Sequence, residues 1–524
     1  MDADVIIAGA GPTGLMLAAE LRLAGADVLI LELLPEPTGQ SRALGINPRA
    51  VELLDARGLM GRFADQHTIT NSHYGALHRP LDFSRLDTAH GVMMVPQRRT
   101  EKELGEWARG LGARILHGHT VVGLTQYADR VEVEADTSEG TRTFTARYVV
   151  GADGSRSSVR QLSGIGYPGV PSTVDALMCD VSGLDLAFKF FERNDRGLWA
   201  VFPVGDGVFR VVVYAFDRPP VRGADAPSFE EVNDAARTIA GIDLTGGTPH
   251  WLSRHGNTTR IADRFRAERV FLAGDAAHVV PPAGGQLLTT GLHDATNLGW
   301  KLGAAVAGWG SDDLLDSYQD ERYPVAERII LNARVQNLLM SGGLDIAALR
   351  ELFTELVEFD EVNFYLSGQL SAVSVRYDVG GDHPMLGLGL PHRTLETDAG
   401  EVTTTELLRS ARGLLLEVGD APGFADLVAP YADRVDVRVA RVPAGSPGFD
   451  GVTAVLVRPD THVAWVAETP AGADAADADR DALGTALRRW FGAPADTNSG
   501  AESGTESGTQ TAAPVGAGTA GGTP

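Results

Sequence analysis

The sequence predicts an α/β protein whose first domain contains a doubly wound parallel sheet, and three short segments support this fold class. Residues 5–8, 148–150 and 270–273 are apolar runs of the kind that form buried parallel strands. Each run leads directly into a glycine-containing turn. Residues 15–23 and 288–305, which follow the first and third turns, carry apolar residues at helical spacing. This succession of strand, turn and helix is typical of a nucleotide-binding sheet.

The first turn carries a glycine pattern that suits a dinucleotide. The segment Gly9-Ala-Gly11-Pro12-Thr13-Gly14 stands between the first strand and its helix, where free N–H groups can bind a pyrophosphate. A second apolar strand, residues 28–31, ends at Glu32, close to the usual spacing for a carboxylate that binds an adenosine ribose. A glycine turn alone is a weak signal, but this complete unit favours a dinucleotide site over an ordinary turn.

The turn after residue 273 supplies the other half of the predicted site. Gly274 allows a ligand close to the backbone, and the Asp275 carboxylate is a hydrogen-bond acceptor that suits a polyol. Pro282, Gly284, Gly285 and Gln286 precede the helical pattern and so lie at a helix N-terminus, which favours negative charge. A cofactor with hydroxyl groups at one end and an anionic ring at the other fits this site. A flavin has both properties.

A third motif, residues 148–160, runs from a strand into the turn Gly151-Ala-Asp153-Gly154. The three motifs, in this order and at these separations, resemble the class A FAD-dependent aromatic monooxygenases, and most closely the polyketide hydroxylases of angucycline and anthracycline biosynthesis. The resemblance extends from residue 1 to about residue 492. It implies a glutathione-reductase-like FAD domain with tightly but noncovalently bound FAD. The residues that it assigns to the cofactor are Gly9, Gly11, Pro12, Thr13, Gly14, Glu32, Arg42, Gln97, Asp153, Asp275, Pro282, Gly284, Gly285, Gln286 and Leu287.

Two positions depart from the family pattern. Where the family has Gly and then Asn, two residues further on, this chain has Leu287 and Thr289. Because backbone N–H groups are expected to face the flavin there, binding should survive. A bulky Leu287 beside the ring would change substrate access or the mobility of the flavin.

The motifs divide the chain into five predicted parts. Residues 1–175 form the first part of the FAD domain, and residues 269–394 return to it, with a helix over 312–338. Residues 176–268 are predicted to form an inserted mixed sheet for the substrate, with strands at 177–181, 198–204 and 208–216 and a hairpin turn at 205–207. Residues 395–492, with patterns at 405–416, 452–459, 463–467 and 482–491, correspond to a thioredoxin-like domain in the resembling family. Residues 493–524, rich in small and polar residues, are predicted to be a disordered tail.

Composition excludes several other classes of function. The net charge of −24 argues against nucleic-acid binding. The single cysteine, Cys179, excludes thiol redox chemistry in the C-terminal domain and is expected to be a buried, inert thiol. Because the first strand begins almost at once and no apolar run reaches the length of a bilayer, we expect a cytoplasmic protein without a membrane partner.

His278 and His293 are interpreted as hydrogen-bonded structural residues, and no metal site is predicted. The oligomeric state stays open.

The resemblance implies hydroxylation of a polycyclic aromatic polyketide, as in antibiotic biosynthesis. NADPH or NADH reduces FAD as a transient reductant docking near Asp153, and O2 then yields a C4a-hydroperoxyflavin that oxidises the ring. No amino-acid catalyst is assigned, because the flavin carries the chemistry. The candidate substrate contacts, each of which also fits a plain core role, are His73, Tyr74, Phe83, Met94, Trp199, Phe202 and Tyr214.

Two further functions remain open at this point. A Baeyer–Villiger or ring-opening monooxygenase uses the same scaffold and the same flavin chemistry. The third hypothesis is a flavin-binding partner protein with little oxygenase activity, and only the departure at Leu287 supports it. An NAD-dependent dehydrogenase is disfavoured, because a plain dinucleotide-binding enzyme has no use for the motif at Gly274-Asp275.

Overall fold

The computed structural model describes residues 1–216, 220–221, 226–419, 423–443, 445–468 and 473–495. Its strands and helices confirm the predicted α/β fold class. The predicted tail, residues 493–524, lies outside the described residues except for its first three positions. Among the described residues, no helix combines the length and the apolar character that crossing a bilayer requires.

The helices confirm the predicted helical segments in the first and third parts of the chain. The helix predicted at 312–338 is Asp312–Met340, and the Ser311 hydroxyl caps it by accepting the Leu314 N–H at 3.2 Å. The helices are α1 Pro12–Leu23, α2 Pro48–Ala56, α3 Gln97–Gly110, α4 Ser158–Leu162, α5 Phe229–Ala235, α6 Gln286–Ala307, α7 Asp312–Met340, α8 Leu344–Val357, α9 Asp360–Ser371, α10 Thr404–Leu407, α11 Ala425–Val428 and α12 Ala473–Phe491.

The main sheet holds the three predicted motifs. Its strands are β1 Ala3–Ala8, β2 Val28–Glu32, β7 Arg114–His117, β8 Thr120–Gln126, β9 Val131–Thr137, β10 Gly140–Gly151, β18 Arg266–Ala267 and β19 Val270–Leu272. They follow the order β18-β19-β10-β1-β2-β7, and β9 joins β10 to β8. The five strands from β19 to β7 are parallel neighbours. Their carboxyl ends therefore lie at one edge, where the motifs meet.

The second sheet has five strands and corresponds to the predicted insertion. Its strands are β12 Asp175–Ser182, β13 Lys189–Arg193, β14 Gly197–Gly205, β15 Val208–Ala215 and β16 Thr248–Gly256. The order is β13-β14-β15-β12-β16 and every pair is antiparallel, so the prediction of a mixed sheet is wrong. The predicted hairpin is confirmed: Asp206 and Gly207 have φ of +54° and +71°, which suit a tight turn between twisted strands.

The C-terminal region forms a third sheet. Its strands and the hairpin before it are β21 Thr394–Thr397, β22 Gly400–Thr403, β23 Gly413–Val418, β24 Val435–Ala440, β25 Val452–Val457 and β26 Val463–Glu468. The order is β24-β23-β25-β26, with only β23 and β24 parallel. The pattern at 405–416 divides into the end of α10 and the start of β23. Short strands complete the fold: β3 Thr68–Ile69, β4 Asn71–Ser72, β5 Leu81–Asp82, β6 Val92–Met93, β11 Gly169–Val170, β17 Thr259–Ile261 and β20 His278–Val279.

Buried charges fix the C-terminal sheet against α6 and α7. Arg458, at the end of β25, pairs with Glu321 of α7 at 2.5 Å and with Asp460. Lys301 of α6 donates to the same Glu321 at 2.7 Å. All four side chains are at least 96% buried. Because a buried charge is costly once its partner is lost, these contacts make the C-terminal region an integral part of the fold.

Candidate functional site

The predicted motifs meet at the carboxyl edge of the main sheet. The Ala152 N–H donates to the Ala8 carbonyl at 2.8 Å, and the Ala273 N–H donates to the Gly151 carbonyl at 2.9 Å. These bonds continue the parallel ladders of β1, β10 and β19 just beyond the last strand residues. Turns that lie far apart in the sequence thus form a single rim, as the sequence predicted for two halves of one site.

The glycines of the first turn are required by close approach of the backbone. Gly9 has a φ of +101°, and a Cβ there would lie 2.5 Å from the Ala152 carbonyl oxygen. A Cβ on Gly14 would lie 2.1 Å from the Gly9 carbonyl oxygen. A Cβ on Gly11, at the start of α1, would meet nothing within 4 Å. Two glycines thus pack the turn tightly, while Gly11 leaves open space at a helix N-terminus, as binding of a diphosphate requires.

Glu32 lies against the glycine turn at the end of β2. One carboxylate oxygen accepts the Ala10 N–H at 2.6 Å, and the other accepts the Leu34 N–H at 2.9 Å. The carboxylate is therefore held at the turn by two backbone donors. Each oxygen keeps a second lone pair, which is the acceptor capacity that a ribose hydroxyl would use.

Asp275 presents a free carboxylate beside the first turn. Within the described residues, no hydrogen bond or ion pair to its side-chain oxygens is found, although the Tyr167 hydroxyl donates to its carbonyl at 2.9 Å. Burial raises the pKa of Asp275. The preceding Gly274 has a φ of +59°, and a Cβ there would lie 2.7 Å from the Thr13 hydroxyl of α1. The two halves of the site are thus in contact, and the acceptor is available to a ligand.

Asp294 of α6 supports this turn and was missed by the sequence analysis. Its carboxylate accepts the Gly274 N–H at 3.1 Å, lies 2.7 Å from His278 Nε2 and accepts Arg322 Nε–H at 2.6 Å. The Arg322 charge and the His278 hydrogen bond hold the pKa of Asp294 well below its usual range. Asp294 therefore anchors both ends of the segment that carries Asp275.

The start of α6 has the predicted glycine geometry. Gly284 and Gly285 have φ of +74° and +62°, in the left-handed region that favours glycine. A Cβ on Gly284 would lie 2.4 Å from a methyl of Leu370, whereas a Cβ on Gly285 would meet nothing within 4 Å. The Gly285 N–H points back to the Pro282 carbonyl at 3.3 Å. The helix N-terminus is thus open on the Gly285 side.

The two departures from the family pattern have structural roles. Leu287 packs against a small apolar cluster on α7. The Thr289 hydroxyl accepts the Asn47 N–H at 3.1 Å, which joins α6 to the start of α2. Gln286 donates to the Gln369 carbonyl at 3.1 Å. Backbone groups remain available at the helix start, as expected.

Arg42 and Gln97 tie neighbouring segments to the rim. Gln97, at the start of α3, accepts the Ala43 N–H at 3.2 Å. Arg210 of β15 donates to the Arg42 carbonyl at 3.1 Å, while the Arg42 side chain is exposed. These contacts join the segment before α2 to α3 and to the five-stranded sheet.

Asp153 has one oxygen engaged and one free. It accepts the Val159 N–H at 3.2 Å, and its other oxygen is buried without a partner among the described residues. Burial raises the pKa of Asp153. One acceptor of Asp153 is therefore left unsatisfied within the described part of the chain.

Predictions for the remaining polar residues had mixed outcomes. His278 is hydrogen-bonded to Asp294, as predicted, but His293 is buried and its Nε2 has no partner among the described residues, so that prediction is wrong. Cys179 is buried in β12, which confirms the predicted burial, and this burial raises the pKa of its thiol to about 12. In the described part of the chain, no cluster of potential metal ligands occurs.

A cavity of about 390 Å³ lies beside the start of α6, between α6, α7 and the segment of residues 369–378. His293 Nε2 and the side-chain oxygen of Gln286 are both buried without partners among the described residues, and both residues line this cavity. Arg49 of α2 and His462, next to β26, also line it. The unpaired atoms of α6 therefore border a cavity on the side of α6 that faces α7.

One face of the five-stranded sheet carries an aromatic cluster near the Gly284 turn. The rings are those of His73, Phe188, Phe190, Phe191 and Phe202, with centroid separations from 4.6 to 6.5 Å. Phe191 also packs against the group that contains Ala283 and Leu198. Because Ala283 directly precedes Gly284, the aromatic surface extends from the start of α6 to solvent, where Phe188 is 58% exposed.

Of the candidate substrate contacts, Tyr214 lies on this same face, and His73 and Phe202 belong to the aromatic cluster, whereas the other four lie elsewhere. Trp199 packs on the opposite face of the sheet, against the α5 side, because alternate residues of a strand point to opposite faces. Tyr74 and Phe83 are 98% buried in a separate core with α7 and α9, and the Tyr74 hydroxyl donates to Asn332 at 3.2 Å. We therefore remove these three residues from the substrate set. Met94 packs against the same core and stays partly exposed.

Comparison with known proteins agrees with this geometry. The chain matches the family of the FAD binding domain over residues 2–333 and that of the aromatic-ring hydroxylase C-terminal region over residues 383–494. A 12-dehydrotetracycline 5-monooxygenase/anhydrotetracycline 6-monooxygenase of Streptomyces rimosus is 43% identical over 94% of this chain and 99% of the relative. A rifampicin monooxygenase of Streptomyces venezuelae is 46% identical with the same coverage. The crystal structure of an aromatic hydroxylase from angucycline biosynthesis has a TM-score of 0.88 at 42% identity and covers 94% of this chain and 100% of its own. The chain therefore belongs to the class A FAD-dependent aromatic hydroxylases, which are monooxygenases.

Proposed function

We propose that this protein is an NAD(P)H- and O2-dependent flavoprotein that hydroxylates a polycyclic aromatic polyketide. The observation that carries the substrate class is the aromatic face of the five-stranded sheet. Its cluster of His73 and four phenylalanines begins beside Ala283 and reaches solvent, so it offers a broad apolar surface next to the predicted cofactor site. Relatives that are 43% and 46% identical act on anhydrotetracycline and rifampicin, which supports a large aromatic substrate.

The residues present fit FAD. Gly11 leaves space at the start of α1 for the diphosphate, and Glu32 lies at the turn where the adenosine ribose would bind. Asp275 offers an unpaired carboxylate to the ribitol hydroxyls, with Arg42 and Gln97 on the neighbouring segments. The set that we propose to contact FAD is the one predicted from sequence, with backbone rather than side-chain contacts at Gly284, Gly285, Gln286 and Leu287.

The chain's own contribution is to bind, orient and exclude water. The chemistry that FAD would supply when bound is acceptance of hydride from NAD(P)H and activation of O2 for transfer of one oxygen atom. The N-terminus of α6 has no side-chain cap, so its free N–H groups would stabilise negative charge on a ring bound there. The apolar sheet face, which packs near Ala283, would exclude water from the other side of the ring. We propose that the nicotinamide cofactor docks transiently near Asp153, where a buried oxygen remains unpaired among the described residues.

We also propose the domain organisation given by the motifs. The main sheet and α6 would form the FAD domain from residues 1–175 and 269–394, and β12 to β16 would form the substrate domain within residues 176–268. The four-stranded C-terminal sheet, with helices beside it, fits the thioredoxin-like domain over residues 395–492.

The test is product formation under oxygen-18 gas. The purified protein is incubated with FAD, NADPH or NADH and a set of aromatic polyketides that includes anhydrotetracycline and rifampicin. We expect NAD(P)H consumption together with a product that has gained one labelled oxygen on an aromatic carbon. Oxygen inserted between ring carbons, seen by NMR, would instead show a Baeyer–Villiger reaction. Flavin binding without NAD(P)H consumption or labelled product would identify a partner protein with little oxygenase activity.

A further inference from the structure

Tyr214 and His255 form a hydrogen-bonded pair on the face of the five-stranded sheet. They lie on β15 and β16, on either side of β12, and both are paired in register with Ala176 of β12. The small alanine side chain lets the two rings meet above it. The Tyr214 hydroxyl lies 3.3 Å from His255 Nε2, and the rings are perpendicular with centroids 6.0 Å apart.

The pair faces the predicted cofactor site. Tyr214 packs against the group that contains Leu198, Met340 and Ala283, and Ala283 directly precedes the Gly284–Gly285 turn. On the same face, Arg210 donates to the Arg42 carbonyl at 3.1 Å, which fixes the sheet to the segment that borders the rim. The pair thus lies where the substrate of the proposed hydroxylase would be bound.

Both members of the pair are neutral at neutral pH. Burial and the nearby positive charges of Arg210 and Arg42 lower the pKa of His255 to about 4, and burial raises the pKa of the Tyr214 hydroxyl. Neither side chain is fully covered by protein. Within the described residues, His255 Nδ1 has no hydrogen-bond partner, since the only bond of its ring joins Nε2 to Tyr214.

These facts define the kind of ligand that the pair can bind. A neutral donor and acceptor beside the aromatic cluster suit an uncharged hydroxyl or carbonyl oxygen. Such a site rejects an analogue that cannot make the hydrogen bond, because the buried polar groups would then stay unpaired. In contrast, the rings of Phe190, Phe191 and Phe202 bind an aromatic skeleton without regard to its oxygens.

We propose that Tyr214 and His255 bind a phenolic hydroxyl of the aromatic substrate and thereby set which ring carbon faces the cofactor. This inference rests on the proposed function and extends it to the choice of substrate and position. The aromatic cluster holds the ring system, and the pair fixes its orientation. The two residues are specificity-determining contacts, and no proton transfer by either is required.

The test compares 9-phenanthrol with 9-methoxyphenanthrene, which share a three-ring skeleton but differ in the hydroxyl proton. Dissociation constants are measured with the FAD-loaded enzyme from the change in the flavin absorption spectrum. We expect the wild type to bind the phenol about tenfold more tightly than the ether, the usual size of one buried hydrogen bond. Tyr214→Phe and His255→Asn should each bring this ratio below about threefold, by weakening the phenol and leaving the ether unchanged.

The matched control is His250→Asn. His250 lies on the same strand and also meets a hydroxyl, that of Ser182 at 2.7 Å, but it is exposed. This variant should keep the wild-type ratio. A merely structural role for the pair would weaken both probes equally or neither, and either result overturns the proposal. Equal binding of the two probes by the wild type also overturns it. Failure of the proposed function is a separate result, because it would be seen as absent NAD(P)H-dependent oxygenation in the wild type.

Discussion

Replacing Asp294 with asparagine tests how the Asp275 turn is held. The Asp294 carboxylate is fully buried and contacts Arg322 at 2.6 Å and His278 at 2.7 Å. The Arg322 side chain is itself only 2% exposed, so the neutral asparagine leaves a buried guanidinium without a counter-charge. Breaking a buried pair in this way costs about 3–5 kcal/mol. Since Asp294 also accepts the Gly274 N–H, FAD affinity should fall together with stability.

The assay is urea unfolding of the FAD-loaded protein, followed by circular dichroism and by flavin fluorescence. Asp312→Asn is the matched control, because that carboxylate is 83% exposed and pairs with Arg266 on the surface. Ion pairs on the surface contribute about 0–1 kcal/mol to the free energy of unfolding. The control should therefore unfold at nearly the same urea concentration as the wild type. If Asp294→Asn loses no more stability than Asp312→Asn, the buried pair does not support the turn as described.

Three further predictions follow from the same geometry. Asp275→Ala should raise the FAD dissociation constant about tenfold to a hundredfold, because ribitol hydroxyls would lose a buried acceptor; fluorescence titration gives the value, and an unchanged constant would show that Asp275 points elsewhere. Glu32→Gln should weaken FAD binding and leave the KM for NADPH unchanged at saturating flavin, whereas a gain in NADPH affinity with undiminished FAD binding would place NADPH at the first turn. Burial lowers the pKa values of His73 and His255 from 6.5 to about 4, so the unfolded state binds more protons between these pH values and stability falls as pH drops. Relative to neutral pH, each histidine should lower the free energy of unfolding at pH 5 by about 2 kcal/mol. In urea unfolding, the double variant His73→Gln/His255→Gln should therefore show a free energy of unfolding that changes less with pH. The same pH dependence in the variant and the wild type would contradict the assigned pKa shifts.

Local patterns were sufficient to predict the main elements of the fold. The strand ending at Ala8, the hairpin at Asp206-Gly207 and the start of α6 each depend on apolar periodicity and glycine positions within a few residues. The three motifs could be joined into one rim because parallel strands share their carboxyl edge. The full set of cofactor contacts, including Arg42 and Gln97, came from the resemblance to the family and stays a prediction.

Contacts between distant segments could not be predicted in this way. Asp294 is one polar residue among several on α6, and only the folded chain places it against Gly274 and Arg322. Likewise, the bond from Arg458 to Glu321 joins residues that are 137 positions apart. Trp199 was named as a candidate substrate contact because the apolar sequence of β14 shows no polar alternation that would identify which face points toward the predicted cofactor site.

The predictions for the histidines were only partly correct, because their hydrogen-bond partners also lie in distant segments. The sequence gives no sign of whether a buried imidazole finds a partner. His278 meets Asp294 because α6 packs against the turn at Gly274–Ala276 just before β20, whereas His293 borders the cavity beside α7. The pairing of His255 with Tyr214 depends on sheet register across β12, which the sequence did not establish.

The most direct test of the account is the flavin content of the purified protein. One FAD per chain, yellow in colour and released on denaturation without a covalent bond, is the expected result. FAD added to protein stripped of flavin should restore this stoichiometry, and the Asp275→Ala variant should need a higher FAD concentration to reach it. A protein that is purified without flavin and fails to bind added FAD would contradict the assignment of Gly11, Glu32 and Asp275 to the cofactor, and with it the proposed chemistry.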